Sequence, residues 1–305
     1  MKIVFFGTSE IGVPILEKLH ENHEVVLVVS TPDKPVGRKQ IITPSSISNA
    51  ATRLSLPLIT PQKVKTNSEL WDDLAKYNAD IFVVVSYGKI MPLELINIPR
   101  LKTINVHFSL LPEYRGPAPV QFALLDGKTK TGTTIFVLDE LVDHGPVIAM
   151  DEIEVDPDDT NITLQSKLAQ LSAELLIDVL PKYESGEIVP KEQDHSLATT
   201  SRIITKEDGK VDWSQDAQSI YNKHRAYQPW PGIYTEWDGK IFKIIECKPV
   251  TNNTQLSPGK VERNLVGCGN NSALELITVQ LEGKNPVNIN DFLRGYPAFV
   301  NGTLN

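Results

Sequence analysis

The chain is poor in cysteine, with only Cys247 and Cys268 among 305 residues. The two have no metal-ligand spacing and no framework around them, so neither a metal module nor a disulfide scaffold is expected. Long apolar runs are missing too. The longest strand-like ones, residues 25–29 and 81–85, fall far short of the roughly 20 residues of a membrane span. The first apolar run covers residues 3–6 and is too short for a signal-peptide core, which makes a cytoplasmic location with no membrane partner the expectation. There is no internal repeat and no low-complexity tract. Two nucleotide signatures are lacking as well. Gly7-Thr8-Ser9-Glu10-Ile11-Gly12 does not complete G-x-G-x-x-G, and Glu10 would face any pyrophosphate arriving at a helix start. The full Walker pattern is absent, so neither a dinucleotide site nor a P-loop is expected.

What is present fits a globular protein of ordinary composition, 41% hydrophobic and 22% charged, long enough for two domains. The net charge of −8 is unevenly spread. Residues 1–138 carry 15 Lys/Arg against 12 Asp/Glu, residues 139–194 carry 3 against 15, and residues 195–305 carry 12 against 11. The acid lies in one block, which leaves the remaining surface free to meet phosphates. A solvated acidic face with no partner accounts for the same block.

Residues 3–6 form a short apolar run that ends at Gly7. Ile11, Ile15, Leu16 and Leu19 then repeat at helical spacing, and residues 25–29 are continuous and β-branched. This β-α-β opening, with uninterrupted apolar strands, predicts a parallel sheet covered on both faces. The alternation continues through a helix around Leu70 and Leu74, strands at 81–85 and 103–106, a helix at 119–125 and a strand at 133–138. Residues 161–180 predict a helix with a Leu164, Leu168, Leu171, Leu175 stripe, Thr160 as cap and Pro181 as stop. Residues 184–202 are mixed and polar, like a linker. Beyond residue 203 a helix at 216–225 precedes short strands at 233–237, 240–246, 259–263 and 274–279, spaced as in a small barrel or sandwich.

Asn105 and His107 lie two apart at the end of a strand, so their side chains project to one side. In open α/β sheets ligands bind beyond the carboxyl ends of the strands. An Asn amide donates to a developing oxyanion, and a His donates or exchanges a proton. Asp143 follows the next strand in a loop with Gly145 and Pro146, and a carboxylate beside an imidazole stabilises its charged form. An Asn turn, a surface His and an ordinary acidic loop account for the same spacing equally well.

Asn105-x-His107, Ser109-Leu110-Leu111-Pro112-x-x-Arg115-Gly116 and Asp143-x-Gly145 together resemble the 10-formyltetrahydrofolate-dependent formyltransferases. The resemblance implies a doubly wound, mostly parallel α/β catalytic domain (Rossmann-like) over residues 1–183, a linker at 184–202 and a small OB-like β-barrel domain at 203–305. It implies Asn105, His107 and Asp143 as catalytic residues and Ser109, Leu110, Leu111 and Pro112 as a folate-contacting segment. Ser86-Tyr87-Gly88-Lys89-Ile90 resembles the stretch whose backbone lines the pterin pocket, with Tyr87, Gly88 and Ile90 as folate contacts. The co-substrate is then 10-formyltetrahydrofolate, with no metal.

Within that family the chain most resembles members whose acceptor is initiator methionyl-tRNA. Thr31-Pro32-Asp33-Lys34-Pro35-Val36-Gly37-Arg38 looks like their acceptor-end loop, in which Lys34, Arg38 and Lys39 would meet tRNA phosphates. Ile204-Thr205-Lys206-Glu207-Asp208-Gly209-Lys210-Val211-Asp212-Trp213 and Arg225-Ala226-Tyr227-Gln228-Pro229-Trp230-Pro231-Gly232 resemble their C-terminal tRNA-binding domain. Tyr227 and Trp230 could stack on bases or pack inside. A monomer is expected. The alternatives are a formyltransferase for a nucleotide-sugar amine or other small amine, a 10-formyltetrahydrofolate hydrolase, and a non-catalytic RNA-binding scaffold. Two residues depart from the family. Phe108 replaces a small residue or Pro, which would narrow the pocket entrance, and His144 stands beside Asp143.

Overall fold

The computed structural model describes residues 1–37, 40–250 and 254–305. Two compact units emerge. The first comprises Met1–Pro119, Lys130–Glu154 and Gln165–Ser201; the second comprises Val120–Thr129, Val155–Leu164 and Arg202–Asn305.

The first unit is built on strands β1 (Lys2–Gly7), β2 (Glu24–Val29), β3 (Lys34–Val36), β4 (Ile41–Thr43), β5 (Leu58–Ile59), β6 (Ile81–Val85), β7 (Thr103–His107), β8 (Lys130–Val137) and β9 (Val147–Glu154). Its helices are α1 (Val13–Asn22), α2 (Ser46–Arg53), α3 (Ser68–Lys76) and α4 (Leu93–Ile96); α5 (Pro119–Leu125) and α6 (Asn161–Glu184) follow in the chain. Seven strands form one sheet in the order β5-β2-β1-β6-β7-β8-β9. The pairs from β5 to β7 are parallel, and β7–β8 and β8–β9 are antiparallel. The doubly wound, mostly parallel sheet expected from continuous apolar strands is what forms, and all five residues of β6 are buried. The edges are managed differently. β5 has only two residues, while β9 ends in the charged Asp151, Glu152 and Glu154. The chain leaves β1 toward β2 and returns on the other side at β6, so the strand order reverses between these two. There Thr8 Oγ1 donates to the Tyr87 carbonyl at 2.9 Å, which ties the two loops that follow the strands.

Three local expectations are corrected. Helix α6 runs through Pro181 to Glu184. Its last turn is held because Tyr183 Oη donates to the Leu101 carbonyl at 3.0 Å and Glu184 pairs with Arg100, which offsets the one backbone bond a proline removes. The buried stripe of α6 is Leu164, Leu168, Ser172 and Leu176, with Leu171 and Leu175 only at its margin. Within the expected acceptor-end loop, Lys34–Val36 pairs antiparallel with Ile41–Thr43 as the β3–β4 hairpin, with Lys34 opposite Thr43. Thr160 does cap α6, accepting from Thr163 N at 3.3 Å.

The second unit contains α7 (Ala217–Ala226), β10 (Ile233–Trp237), β11 (Lys240–Val250), β12 (Val261–Glu262), β13 (Leu265–Gly267), β14 (Ala273–Leu281), β15 (Val287–Asn288) and α8 (Ile289–Gly295). The antiparallel order is β10-β11-β14-β13-β12, with β15 on β14. Residues 301–305 close the small barrel. Val261 N donates to Gly302 O on the β12 side, and Asn305 exchanges backbone bonds with Glu236 on the β10 side. Without that segment both edges would carry unpaired backbone groups. Phe242, Phe292 and Phe299 are buried, and the half-buried Trp237 and Tyr296 pack on them as edge-on and stacked rings.

Candidate active site

His107 is the last residue of β7, and only 5% of it is exposed. Thr133 on β8 donates to its carbonyl at 3.2 Å, and Ser172 of α6 lies 2.7 Å behind Thr133 Oγ1, so the strand end is fixed from beneath. His107 Nε2 lies 3.0 Å from the Tyr114 carbonyl. A carbonyl only accepts, so Nε2 carries a proton. Nδ1 faces Asp143 Oδ2 at 3.6 Å, beyond hydrogen-bond length. A neutral ring has no second proton for that side, whereas the doubly protonated ring does. Asn105 stands two residues earlier, paired with Val84 of β6 and Phe136 of β8. It is partly exposed, and its amide makes no hydrogen bond among the described residues. One open amide donor thus sits on the strand that carries the imidazole.

Asp143 reaches His107 from the loop between β8 and β9. It adopts φ +50°, a left-handed conformation that Asp tolerates better than most residues. Gly116 N donates to its Oδ2 at 2.7 Å. Gly116 itself has φ +112°, and a Cβ there would lie 2.5 Å from the Ser201 carbonyl, so no side chain fits. At Gly145 a Cβ would lie 1.9 Å from the Val137 carbonyl, so only glycine lets the loop fold back against β8.

The other expected contacts are placed as follows. Ser109 is fully buried; its hydroxyl donates to Glu113 O at 2.6 Å and its carbonyl accepts from Thr134 at 2.7 Å. Leu110 packs over Gly132, and Leu111 N donates to Thr134 Oγ1 at 3.0 Å. Leu111 and Pro112 line a groove of about 590 Å³ with Val147, Ile148, Met150 and residues 187–189 and 191–194; Asn105, His107 and Asp143 do not line it. The Tyr87 ring is buried edge-on against Phe6, and burial pushes its phenol up to about 12. Only its backbone is left to meet a ligand. Gly88 has open space where a Cβ would be, and Ile90 is 70% exposed. Phe108 is buried.

Lys34 is exposed on the β3–β4 hairpin, and the expected tRNA contacts Arg38 and Lys39 lie outside the described residues. Lys89, beyond β6, donates to the Pro61 and Gln62 carbonyls; burial and the charge of Lys34 hold its ammonium below the usual range. In the second unit Tyr227 is buried, whereas Trp230 is 58% exposed.

Sequence reasoning assigned no role to Arg115, Gln193 or His195 and noted His144 only as a departure beside Asp143. Arg115 Nη2 donates to Gln193 Oε1 at 2.6 Å and to His195 Nδ1 at 2.8 Å. The His195 ring stacks on His144 at 4.0 Å, and His144 bonds Asp139 at 2.6 Å. The one available signal was Arg115-Gly116 inside the quoted motif; Gln193 lay in apparent linker.

Comparison with known proteins places the chain in a family. The formyl transferase profile matches residues 1–180, and the profile of the formyl transferase C-terminal domain matches residues 203–297. The chain is 43% identical over 302 residues to the methionyl-tRNA formyltransferase of Sulfurihydrogenibium sp. (strain YO3AOP1), covering 97% of each chain. It is 42% identical over 301 residues to that of Koribacter versatilis (strain Ellin345), covering 97% of this chain and 96% of the relative. Among solved structures, an N-formyltransferase from Helicobacter canadensis, in complex with folinic acid and dTDP-3-aminofucose, aligns with a TM-score of 0.66 at 17% identity over 90% of this chain and 98% of its own. HypX from Aquifex aeolicus, in complex with tetrahydrofolic acid, aligns at 0.65 and 19% identity over 98% of this chain and 48% of its own. These two share the fold. With both profiles matched and near-complete coverage of relatives above 40% identity, the chain belongs to the formyl transferase family.

Proposed function

We propose that the protein transfers the formyl group of 10-formyltetrahydrofolate to the α-amino group of initiator methionyl-tRNA in the cytoplasm. The observation that carries this reading is likeness over 97% of the chain to methionyl-tRNA formyltransferases, C-terminal domain included. The site supports the chemistry. The open Asn105 amide and His107 Nδ1 are the two donors for the oxygen of the formyl group as the amine attacks its carbon. Losing one such donor typically costs about 2.7–4 kcal/mol of transition-state stabilisation. Because Nε2 is held by Tyr114 O, Nδ1 is the ring nitrogen that faces the reacting atoms, on the side it shares with Asp143 Oδ2. Asp143 balances the charge of the ring and accepts the proton that the amine loses, directly or through water, while the leaving nitrogen of the folate gains one. The sum is amine plus N-formyl donor giving formamide plus free folate amine, with no redox change.

The folate side is supported by the reversal of strand order between β1 and β6, the open face at Gly88 and the buried anchoring of Ser109. The tRNA side is Lys34, Arg38 and Lys39 together with the C-terminal barrel, a fold that commonly holds nucleic acid. The test is incubation with a formyl-labelled donor and three acceptors: methionyl-tRNA, a nucleotide-sugar amine and water. Label is expected on methionyl-tRNA. Transfer only to the sugar amine or to water would overturn the reading.

A further inference from the structure

The catalytic carboxylate is not held by its own sheet alone. Asp143 sits in a left-handed conformation at the turn of a loop, and something must over-determine it. Gln193 does so from a segment distant in sequence. Its Nε2 donates to the Asp143 carbonyl at 3.1 Å and to the Gly145 carbonyl at 2.8 Å. Its Oε1 accepts from Arg115 Nε at 3.2 Å and Nη2 at 2.6 Å. A guanidinium cannot accept, so the amide has one workable orientation, and all four of its hydrogen-bonding positions are filled. Only 7% of the residue is exposed.

The arrangement closes a ring around the site. His107 Nε2 donates to Tyr114 O, and Gly116 N donates to Asp143 Oδ2. Arg115, between those two residues, reaches Gln193 with its side chain, and Gln193 returns to the Asp143 backbone. The Tyr114–Gly116 backbone is itself pinned: Arg115 N donates to Thr199 O, and Ser201 N donates to Arg115 O. We propose that Gln193, oriented by Arg115, is a positioning residue that holds the 143–145 loop so that the Asp143 carboxylate meets His107. The claim rests on the formyl-transfer reading above for its kinetic test.

That test is steady-state kinetics of the full chain with Gln193→Glu, Gln193→Ala and, as control, Glu174→Ala on the exposed side of α6. Gln193→Glu keeps the acceptor for Arg115 but sets oxygen against two carbonyls. It is expected to lower kcat on the order of 10²-fold with each KM within about twofold of wild type, because displacement of about 1 Å at a catalytic group has that effect. Gln193→Ala should fall likewise, and Glu174→Ala should match wild type. In parallel, the ring ¹⁵N resonances of His107, recorded without substrates and assigned with His107→Asn, should move in Gln193→Glu. Wild-type kcat in Gln193→Glu, or a lower kcat with an unchanged His107 spectrum, would overturn the proposal. If the wild type formylates no acceptor, the functional reading fails by itself, and the ring spectrum alone then decides: a shift sustains the positioning role and an unchanged spectrum ends it.

Discussion

His107 in the first unit and His224 in the second are equally buried, each 5% exposed, yet they are surrounded in opposite ways. His107 has an oxygen acceptor on the side of each ring nitrogen, Tyr114 O at 3.0 Å and Asp143 Oδ2 at 3.6 Å. His224 has a neutral amide: Gln228 Nε2 lies 2.8 Å from its Nε2, and since an amide N–H only donates, the ring nitrogen accepts. Burial pushes His224 down to about 4, with Arg225 adding to the effect against the opposing charge of Glu246. Exposure therefore does not distinguish the two rings. The atoms facing the two ring nitrogens do.

The largest expected effect breaks the comparison at its first member. His107→Asn removes the ring donor to the formyl oxygen together with the charge that Asp143 balances and should lower kcat about 10³-fold or more, whereas His224→Gln should leave kcat within about twofold. Comparable losses in both, in folded proteins, would mean that the ring environments do not mark function. Asn105→Ala comes next, at about 10²–10³-fold in kcat with a smaller change in KM, because the lost donor acts on charge that develops during the reaction. An effect confined to KM would move Asn105 from catalysis to substrate binding.

Stability sharpens the contrast from the other side. The unfolded His224 ring titrates near 6.5 and the folded one near 4, so between these values the unfolded chain holds the extra proton. The contribution of His224 is complete above pH 6.5 and is lost as pH falls toward 4. At about 1.4 kcal/mol per pH unit the loss is about 3 kcal/mol. Urea unfolding at pH 7 and pH 4.5 should show wild type losing about 2–3 kcal/mol more than His224→Gln on acidification. Equal losses would place the acid sensitivity elsewhere.

The sequence carried one half of the site and not the other. Asn105 and His107 were legible because the two-residue period of a strand puts them on one side whatever the tertiary context. The parallel sheet was legible from its uninterrupted apolar strands, and the barrel from short strands with turn residues between them. The meeting of Asp143 with His107 was not legible from spacing. It depends on a left-handed residue and on a glycine that folds the loop back against β8. Gln193 was invisible for a related reason. Residues 184–202 have no periodicity, and the value of Gln193 lies in partners 48, 50 and 78 positions away. The β3–β4 hairpin was hidden because Pro35 and Gly37 spell a loop, although a two-stranded ribbon tolerates proline at an unpaired edge.

The smallest expected effect concerns two lysines that differ as the two histidines do. Lys34 is exposed on the hairpin and makes no ion pair among the described residues, so its charge is available to a phosphate. The ammonium of Lys89 is already committed to the Pro61 and Gln62 carbonyls, and burial has lowered its pKa. A cation that meets nucleic acid releases counterions, and its removal flattens the dependence of binding on salt. Lys34→Ala should therefore reduce the slope of log affinity for methionyl-tRNA against log salt by about 1 while leaving kcat at saturating tRNA unchanged. Lys89→Ala should leave that slope alone and lower stability, because two carbonyls lose their donor. Titrations between low and moderate salt distinguish the two. An unchanged slope in Lys34→Ala would remove the hairpin lysine from the phosphate contacts, and a flattened slope in Lys89→Ala would mean that its two carbonyl bonds break when tRNA binds.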